Sequence, residues 1–339
     1  MISEGVDILI SKKTNLIVKV FIIGYPTMGE SIVTLFIDKG NDNAVLYSCV
    51  IDSFYRKDKS GKNHNETIEI LKRFNVSALN LLCWSHPDFD HSRGLDDIIS
   101  SYCNGDSQII LPMHVHGKPY ENISYNAIDR PIIQKIVALN AKNKRTFLSV
   151  CAGNRTRYEV ADFNFIDFPD GNHIPVAIHA HSPSSSFLND RIENDQPIKK
   201  NELSIFLTIE VDSNRFLFCG DTENEAIEQI NTRHIINPLL VKIPHHSSES
   251  SDVLLNMALF SKKKTCACTT AYKRGKRKLP DDNVLSKYVE QCKMVHYTGE
   301  DTEHNVGVVE YSFTPYDFAP NGEPCSYMVA ECHGNAKII

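Results

Sequence analysis

No uncharged apolar run in this 339-residue chain approaches the roughly 20 residues that a helix needs to cross a bilayer, which argues against a helical membrane span. The start, Met1-Ile2-Ser3-Glu4-Gly5-Val6-Asp7, has neither the basic opening nor the apolar core of a signal peptide. The ten cysteines are scattered, several of them in apolar strand-like runs (Cys49, Cys83, Cys219). That dispersion in so long a chain argues against a disulfide-stapled secreted domain, and Cys266 and Cys268 have no Cys-x-x-Cys companion, which argues against a zinc knuckle. A reduced, cytoplasmic protein is the expectation. No stretch is rich enough in Gly, Ser or Pro to force a domain boundary, and no repeat of solenoid period is present. Positive charge is not in excess either: a net charge of -6 argues against a surface that coats nucleic acid throughout, while leaving room for a local basic patch.

What is there suits one large domain over residues 1-339, with 42% apolar residues to fill a core. Strand patterns occupy Asn15 to Ile23, Ser31 to Asp38, Ala44 to Asp52 and Val76 to Trp84. Asn65 to Phe74 and Arg93 to Ser101 read as helices, followed by a strand at Gln108 to Leu111. This alternation predicts α/β construction. Residues 112-160 break the rhythm with an amphipathic helix over Asp129 to Lys144, read as an insertion or lid. The chelating spacing His114-x-His116 lies there and is read as surface histidines. Strands resume at Phe163 to Phe168 and Val176 to His179, and polar Ser182 to Asn201 reads as a flexible loop. A hairpin over Leu203 to Cys219, a helix from Glu223 to Ile230 and a strand at Pro238 to Ile243 follow. Thr265 to Tyr272, Lys293 to Tyr297 and Val306 to Phe313 supply the last strands, with a helix at Asn283 to Cys292.

The chemistry concentrates in Ser85-His86-Pro87-Asp88-Phe89-Asp90-His91, directly after apolar Leu81-Leu82-Cys83-Trp84. Two imidazoles and two carboxylates at the end of a buried strand are costly unless a cation neutralises them, which favours a metal site over a polar surface loop. Gly220-Asp221 and His245-His246 close two further strands. Asp221 suits either a metal ligand or a helix N-cap before Thr222-Glu223. His245 and His246 suit ligands or turn histidines. Asp52 either orients the metal shell or ends its strand.

In this order the residues resemble the metallo-β-lactamase superfamily. They are most similar to the soluble hydrolase domain of ComEC-type DNA-uptake proteins and its stand-alone relatives. The matches are Ser85 to His91 followed by Ser92-Arg93-Gly94-Leu95, Leu217-Phe218-Cys219-Gly220-Asp221, Pro244-His245-His246-Ser247-Ser248, Asn201 with Ser204, Gly29-Glu30-Ser31 and Ile51-Asp52. Two departures stand out: a second glycine after His91 is absent, and Ser247 replaces a glycine, so its backbone must accommodate a side chain. The resemblance implies an αββα sandwich with a helical insertion. It also implies two divalent metal ions (zinc or manganese, with magnesium as an alternative) held by His86, Asp88, Asp90, His91, Asp221 and His246. Asp90 and His245 would be catalytic, His245 either ligating or transferring protons. Asn201, Ser204 and Ser248 would contact substrate.

Arg274, Lys276, Arg277 and Lys278 form a basic run that is either a solvated loop or a phosphate-contacting patch. Tyr272 either stacks on a base or packs as a half-buried strand aromatic. The function implied is a phosphodiesterase or nuclease cleaving DNA or RNA through a metal-activated water, in nucleic-acid turnover or anti-phage defence. Two alternatives remain: a small-molecule metallohydrolase for a cyclic nucleotide, phosphorylated metabolite or lactone, and a degenerate partner-binding subunit. Nucleic acid is the expected partner, with no membrane; a partner subunit or homodimer is left open.

Overall fold

The computed structural model describes residues 6-10, 16-58, 60-113, 129-142, 147-167, 171-300, 306-318 and 324-339. His114 and His116 lie outside the described residues. Strands are numbered in chain order. Eight form one sheet in the order β20 (Pro324–Gly334), β19 (Gly307–Phe318), β2 (Leu16–Gly24), β3 (Glu30–Asp38), β4 (Ala44–Ile51), β7 (Leu81–Cys83), β8 (Gln108–Pro112) and β9 (Phe147–Val150). Nine form the other: β1 (Val6–Ile10), β10 (Tyr158–Asp167), β11 (His173–Ala180), β12 (Leu207–Val211), β13 (Asn214–Phe218), β14 (Leu240–Lys242), β15 (Cys266–Thr269), β18 (Met294–Tyr297) and β21 (Lys337–Ile338). Two hairpins stand outside the sheets, β5–β6 (Arg56–Lys57 with Asn63–His64) and β16–β17 (Tyr272–Arg274 with Arg277–Leu279).

The strand β3 explains the layering. All of Glu30–Asp38 is buried, because the strand is covered on both faces and its near-continuous apolar sequence suits that position. Ile32 and Phe36 point into the core between the two sheets, where they meet Phe163, Phe165 and Val176. Val33, Leu35 and Ile37 point the other way, onto the core beneath α1 (Glu66–Arg73), α3 (Leu95–Tyr102) and α4 (Asp129–Lys142). The outer face of the nine-stranded sheet is covered in turn by α6 (Asn224–Ile227), α7 (Val253–Asn256) and α8 (Asp282–Gln291) through Ile227, Leu254, Leu255 and Tyr288. Helix, sheet, sheet, helix is therefore the order of layers, an αββα sandwich. No described helix is long and apolar enough to cross a membrane.

Each sheet switches from antiparallel to parallel pairing. β4, β7, β8 and β9 run parallel, as do β13, β14, β15 and β18. Parallel strands deliver their carboxyl ends to one edge, where α/β sheets place ligand sites. Asp52 follows β4, Ser85 to His91 follow β7 through the short helix α2 (Phe89–Ser92), Asp221 follows β13, His245 and His246 follow β14, and Thr270 follows β15.

Of the elements that depart from the sequence reading, which include β1, β9 and the β16–β17 hairpin, two are large. Within the stretch expected to be a loop lies α5 (Ser185–Glu193), anchored by Leu188 against Leu203; so small an apolar contact leaves little periodicity to read. The strand β20 pairs with β19 over a long antiparallel register, yet Tyr327 and Val329 face solvent, and of its described side chains only Met328 and Ala330 touch the core. Within 112-160, β9 joins one sheet and the first residues of β10 the other, while Ile132 and Ile136 of α4 pack into the outer core.

Phe165 is fully buried between the sheets, its ring 5.3 Å from that of Phe36 and 5.4 Å from that of Phe163. Phe165→Ala is expected to cost about 3–5 kcal/mol, whereas truncating the exposed Val289 to Ala changes stability by about 0.5 kcal/mol or less. Urea unfolding midpoints compare the two; equal effects would contradict the central placement of this core.

Candidate metal centre

The centre is built around the carboxylate of Asp221. Four imidazoles turn an Nε2 atom towards it: His91 at 3.3 Å, His246 at 3.7 Å, His86 at 3.9 Å and His245 at 4.0 Å. Asp90 Oδ2 lies 3.2 Å from His246 Nε2 and 3.7 Å from His91 Nε2. Asp90, His91, Asp221 and His246 each offer one ligand atom, all within 4.8 Å of one another, and all four residues are buried.

The partners on the far side of each ring assign the tautomers. His91 Nδ1 donates to Asp52 Oδ2 at 2.8 Å. The Thr270 hydroxyl donates to Glu30 Oε2 at 2.5 Å, so at 2.8 Å it accepts from His246 Nδ1. The Ser85 hydroxyl donates to Asp52 Oδ2 at 2.5 Å and accepts from His86 Nδ1 at 3.0 Å. At His245, Nε2 faces the guanidinium of Arg277 at 3.1 Å and the amide nitrogen of Asn201 at 3.4 Å, both of which only donate; the proton therefore sits on Nδ1, 2.9 Å from Ser250 Oγ. In the neutral ring Nε2 is therefore the lone-pair atom of each histidine, and all four face a carboxylate. Fixing a ligating imidazole through its other nitrogen is how protein metal sites set tautomer and orientation.

Lone pairs facing carboxylate oxygens across 3–4 Å repel unless a cation or a proton sits between them. Accordingly, His86 Nε2, His91 Nε2 and Asp221 Oδ1 are buried with no hydrogen-bond partner. Burial opposes charge on Asp221, yet His246, His91 and His245 hold its carboxyl well below the usual range. Burial opposes charge on His91 too, but Asp221, Glu30, Asp90 and Asp52 push it well above its ordinary value. His86 moves the other way, lowered by burial and then by His91, and is a neutral donor. This mixed nitrogen and oxygen set fits a divalent metal cation.

The backbone is bent to present these groups. His245, His246 and Ser247 have φ values of +46°, +53° and +63°, three successive left-handed residues. Each costs about 1–2 kcal/mol for a residue with a Cβ. Hydrogen bonds from His245 N to Gly220 O, Ser248 N to His245 O and Ser247 Oγ to Thr269 Oγ1, each 3.0 Å, offset the strain. Ser247 thus takes the conformation that glycine adopts freely. The glycine before Asp221 has no substitute: Gly220 has φ +51°, and a Cβ there would lie 2.7 Å from Ser204 Oγ. Asp221 itself is not a helix cap, since Glu223 is the N-cap of α6; its carboxylate is committed to the cluster.

Asp88 stands at the mouth, 36% exposed, with Oδ2 3.8 Å from His86 Nε2. Asn201 also donates to Glu223 Oε1 at 3.2 Å, so it belongs to the His245 side of the centre. Ser204 is fully buried behind the cluster, its hydroxyl holding His86 Nδ1 at 3.2 Å and accepting the Asp221 N–H at 2.9 Å; the contact with substrate expected of it has no open path. Ser248 Oγ faces Arg277 at 3.2 Å. Tyr272 lies over His246, ring centroids 5.2 Å apart at 31°. Arg274 and Lys200 line an open cleft of about 490 Å³ with Met28, Phe89 and Tyr272, and Asp88 and Asp90 also line it. Lys276 and Lys278 are exposed on the hairpin, and Lys278 pairs with Glu300 at 3.0 Å rather than reaching the cluster.

The sequence reading missed the layer beneath. Lys242 is fully buried, its ammonium 2.7 Å from Glu30 Oε2, and Glu30 lies 3.4 Å from His246 Nδ1 and 3.9 Å from His91 Nδ1. Burial disfavours charge on Lys242, but Glu30 and Asp221 raise it above its ordinary value. A lysine inside apolar Leu239 to Ile243, two residues ahead of Pro244-His245-His246, was the available signal. Lys242→Met alone is expected to destabilise the protein by about 3–5 kcal/mol by stranding Glu30. The double variant Lys242→Met/Glu30→Gln should lose less than the sum of the single losses, measured by urea unfolding. Strict additivity would mean the two groups do not support one another.

No protein-family model matches this chain, and no curated protein matches it. Among solved structures, one described as a new diphosphatase from the PhnP family is similar over 94% of this chain and 100% of its own, at 11% identity and a TM-score of 0.40. At that identity and overlap the likeness says nothing about chemistry, which the chain's own donor atoms have to carry.

Proposed function

We propose that this protein is a metal-dependent hydrolase of phosphodiesters, a member of the metallo-β-lactamase superfamily related to the ComEC-type hydrolase domain, with nucleic acid as its preferred substrate. The observation that carries the reading is the Asp221 carboxylate facing four buried imidazole Nε2 lone pairs within 4.0 Å. Asp90, His91, Asp221 and His246 would hold one ion, and His86 with Asp88, sharing Asp221, a second. The chemistry a divalent ion supplies when bound is Lewis acidity, which withdraws charge from a phosphoryl oxygen and makes water a nucleophile at neutral pH.

The chain's own groups fit the remainder of the task. Arg274 and Lys200 flank the cleft above Asp90 and supply donors for a phosphodiester anion. Met28, Phe89 and Tyr272 give the same cleft an apolar wall against which a base or sugar can lie. His86, fixed through Ser85 and Ser204, and His91, fixed through Asp52, keep the inner face rigid. Trp84 donates from Nε1 to Ser92 Oγ at 3.0 Å and fixes the far end of the ligand loop. A role in nucleic-acid turnover or anti-phage defence is in keeping with this assignment.

Incubation with single- and double-stranded DNA, RNA and bis(p-nitrophenyl) phosphate under Mn²⁺, Zn²⁺ or Mg²⁺ tests the reading. Cleavage is expected with at least one ion, to vanish with chelator, and to fall about a hundredfold to a thousandfold in Asp90→Ala, the scale of losing a principal catalytic interaction. Absence of cleavage under every ion would sink the proposal.

Substrate class is checked separately through salt. If the hairpin neutralises phosphates of a nucleic-acid backbone, Arg274→Ala/Lys276→Ala should flatten the dependence of log affinity on log salt by roughly 0.7 per phosphate no longer neutralised on a single strand. An unchanged slope would move the substrate towards small phosphoesters.

A further inference from the structure

Among the basic hairpin residues, Arg277 is the one in contact with a histidine of the centre. One guanidinium nitrogen lies 3.1 Å from His245 Nε2 and 3.2 Å from Ser248 Oγ. His245 is locked on its other side, with Nδ1 2.9 Å from Ser250 Oγ and 3.5 Å from Glu223 Oε1, so its ring is held and its single lone pair is at Nε2. That atom also faces Asp221 Oδ2 at 4.0 Å. Two positive groups therefore have a claim on one lone pair: the guanidinium, which is there, and a cation shared with Asp221. A nitrogen lone pair serves one of them at a time.

We infer that Arg277 is a displaceable cap on His245: cation binding beside Asp221 takes the Nε2 lone pair and releases the guanidinium to the substrate's phosphate. This rests on the metal-dependent reading above and adds to it a coupling between metal loading and substrate capture. The geometry suits an exchange. Arg277 sits on β17 of a small exposed hairpin joined to neither main sheet, so its side chain can turn without disturbing the core. Tyr272 and Arg274 on the partner strand β16 already line the cleft into which it would turn. Until metal arrives, the cap satisfies a buried imidazole nitrogen and keeps one anion donor withheld. Arg277 is thus a positioning residue towards His245 and a binding residue towards substrate.

The test is Mn²⁺ binding by calorimetry to the full chain, without substrate. Arg277→Ala is expected to bind Mn²⁺ roughly threefold to tenfold more tightly than wild type, the scale of losing one competing hydrogen bond of ordinary net strength. Lys278→Ala removes an equal charge from the same hairpin but pairs with Glu300 away from the cluster, and should change affinity by about twofold or less, as a surface charge does. In a His245→Ala background, Arg277→Ala should produce no further gain. An equal gain in Lys278→Ala, or an undiminished gain without His245, would reduce Arg277 to a general charge effect and overturn the inference. No gain in Arg277→Ala would overturn it directly. If His245→Ala does not fold by circular dichroism, the comparison of Arg277→Ala with Lys278→Ala decides alone. Wild type that binds no Mn²⁺, Zn²⁺ or Mg²⁺ would instead sink the metal-dependent reading itself, a result separable from the first two.

Discussion

The structure depends on how the buried charge of Asp221 is balanced. Around it Glu30, Asp52 and Asp90 are also buried, each no more than 5% exposed, and the only fully buried ammonium among the described residues is that of Lys242. Four carboxylates against one lysine leave a deficit of positive charge that neutral imidazoles do not fill. Uncompensated burial on this scale is prohibitive, so charge has to come from protons on the histidines or from cations among them. Both routes act at the Nε2 atoms, because each Nδ1–H is already spent on an outer acceptor: His91, pushed well above its ordinary value by Asp221, Glu30, Asp90 and Asp52, takes a proton there, and a bound cation would supply the same charge in its place.

That demand explains why the fold sets its edges where it does. Side chains from β4, β7, β13, β14 and β15 converge because both sheets turn parallel at this edge and release their strands in the same direction. Convergence alone would leave loose loops. Asp52 prevents this by taking the Ser85 N–H at 2.7 Å together with the Ser85 hydroxyl and His91, tying the end of β4 to the ligand loop. On the other sheet, the left-handed turn at His245 to Ser247 is strained in itself and is held by Gly220, Thr269 and Thr270. Strain of this kind persists where surrounding contacts over-determine it, commonly at functional sites.

The legibility of the site in the sequence divides along the same physical line. Asp90, His91, Asp221 and His246 were readable because each lies in a short polar run at the end of an apolar strand, where type and position together betray chemistry. Glu30, Lys242 and Thr270 were not, because each is a single residue on a separate strand and its meaning exists only across the sheet-to-sheet seam; Thr270 and Glu30 are 240 positions apart. Ser204 shows a subtler failure. Its proximity to the site was readable, but whether its hydroxyl faces solvent or the back of His86 depends on which side of the strand end carries the ligands. Similarly, α5 and β20 bury so few side chains that the periodicity by which helices and strands announce themselves is faint.

The distribution of charge orders the events in this site. The inner shell is carboxylate-rich and repels a phosphodiester, while the rim carries Arg274, Arg277 and Lys200. On the proposed reading, a phosphate drawn to the rim would meet Asp88 and Asp90 on its way inward and gain nothing from going further until those carboxylates are neutralised. Positive charge at the centre would then have to precede entry of such a substrate, and a rim arginine already bonded to an inner imidazole is well placed to register that arrival. The Arg277–His245 contact joins the two shells directly, so filling the inner one changes what the outer one can offer.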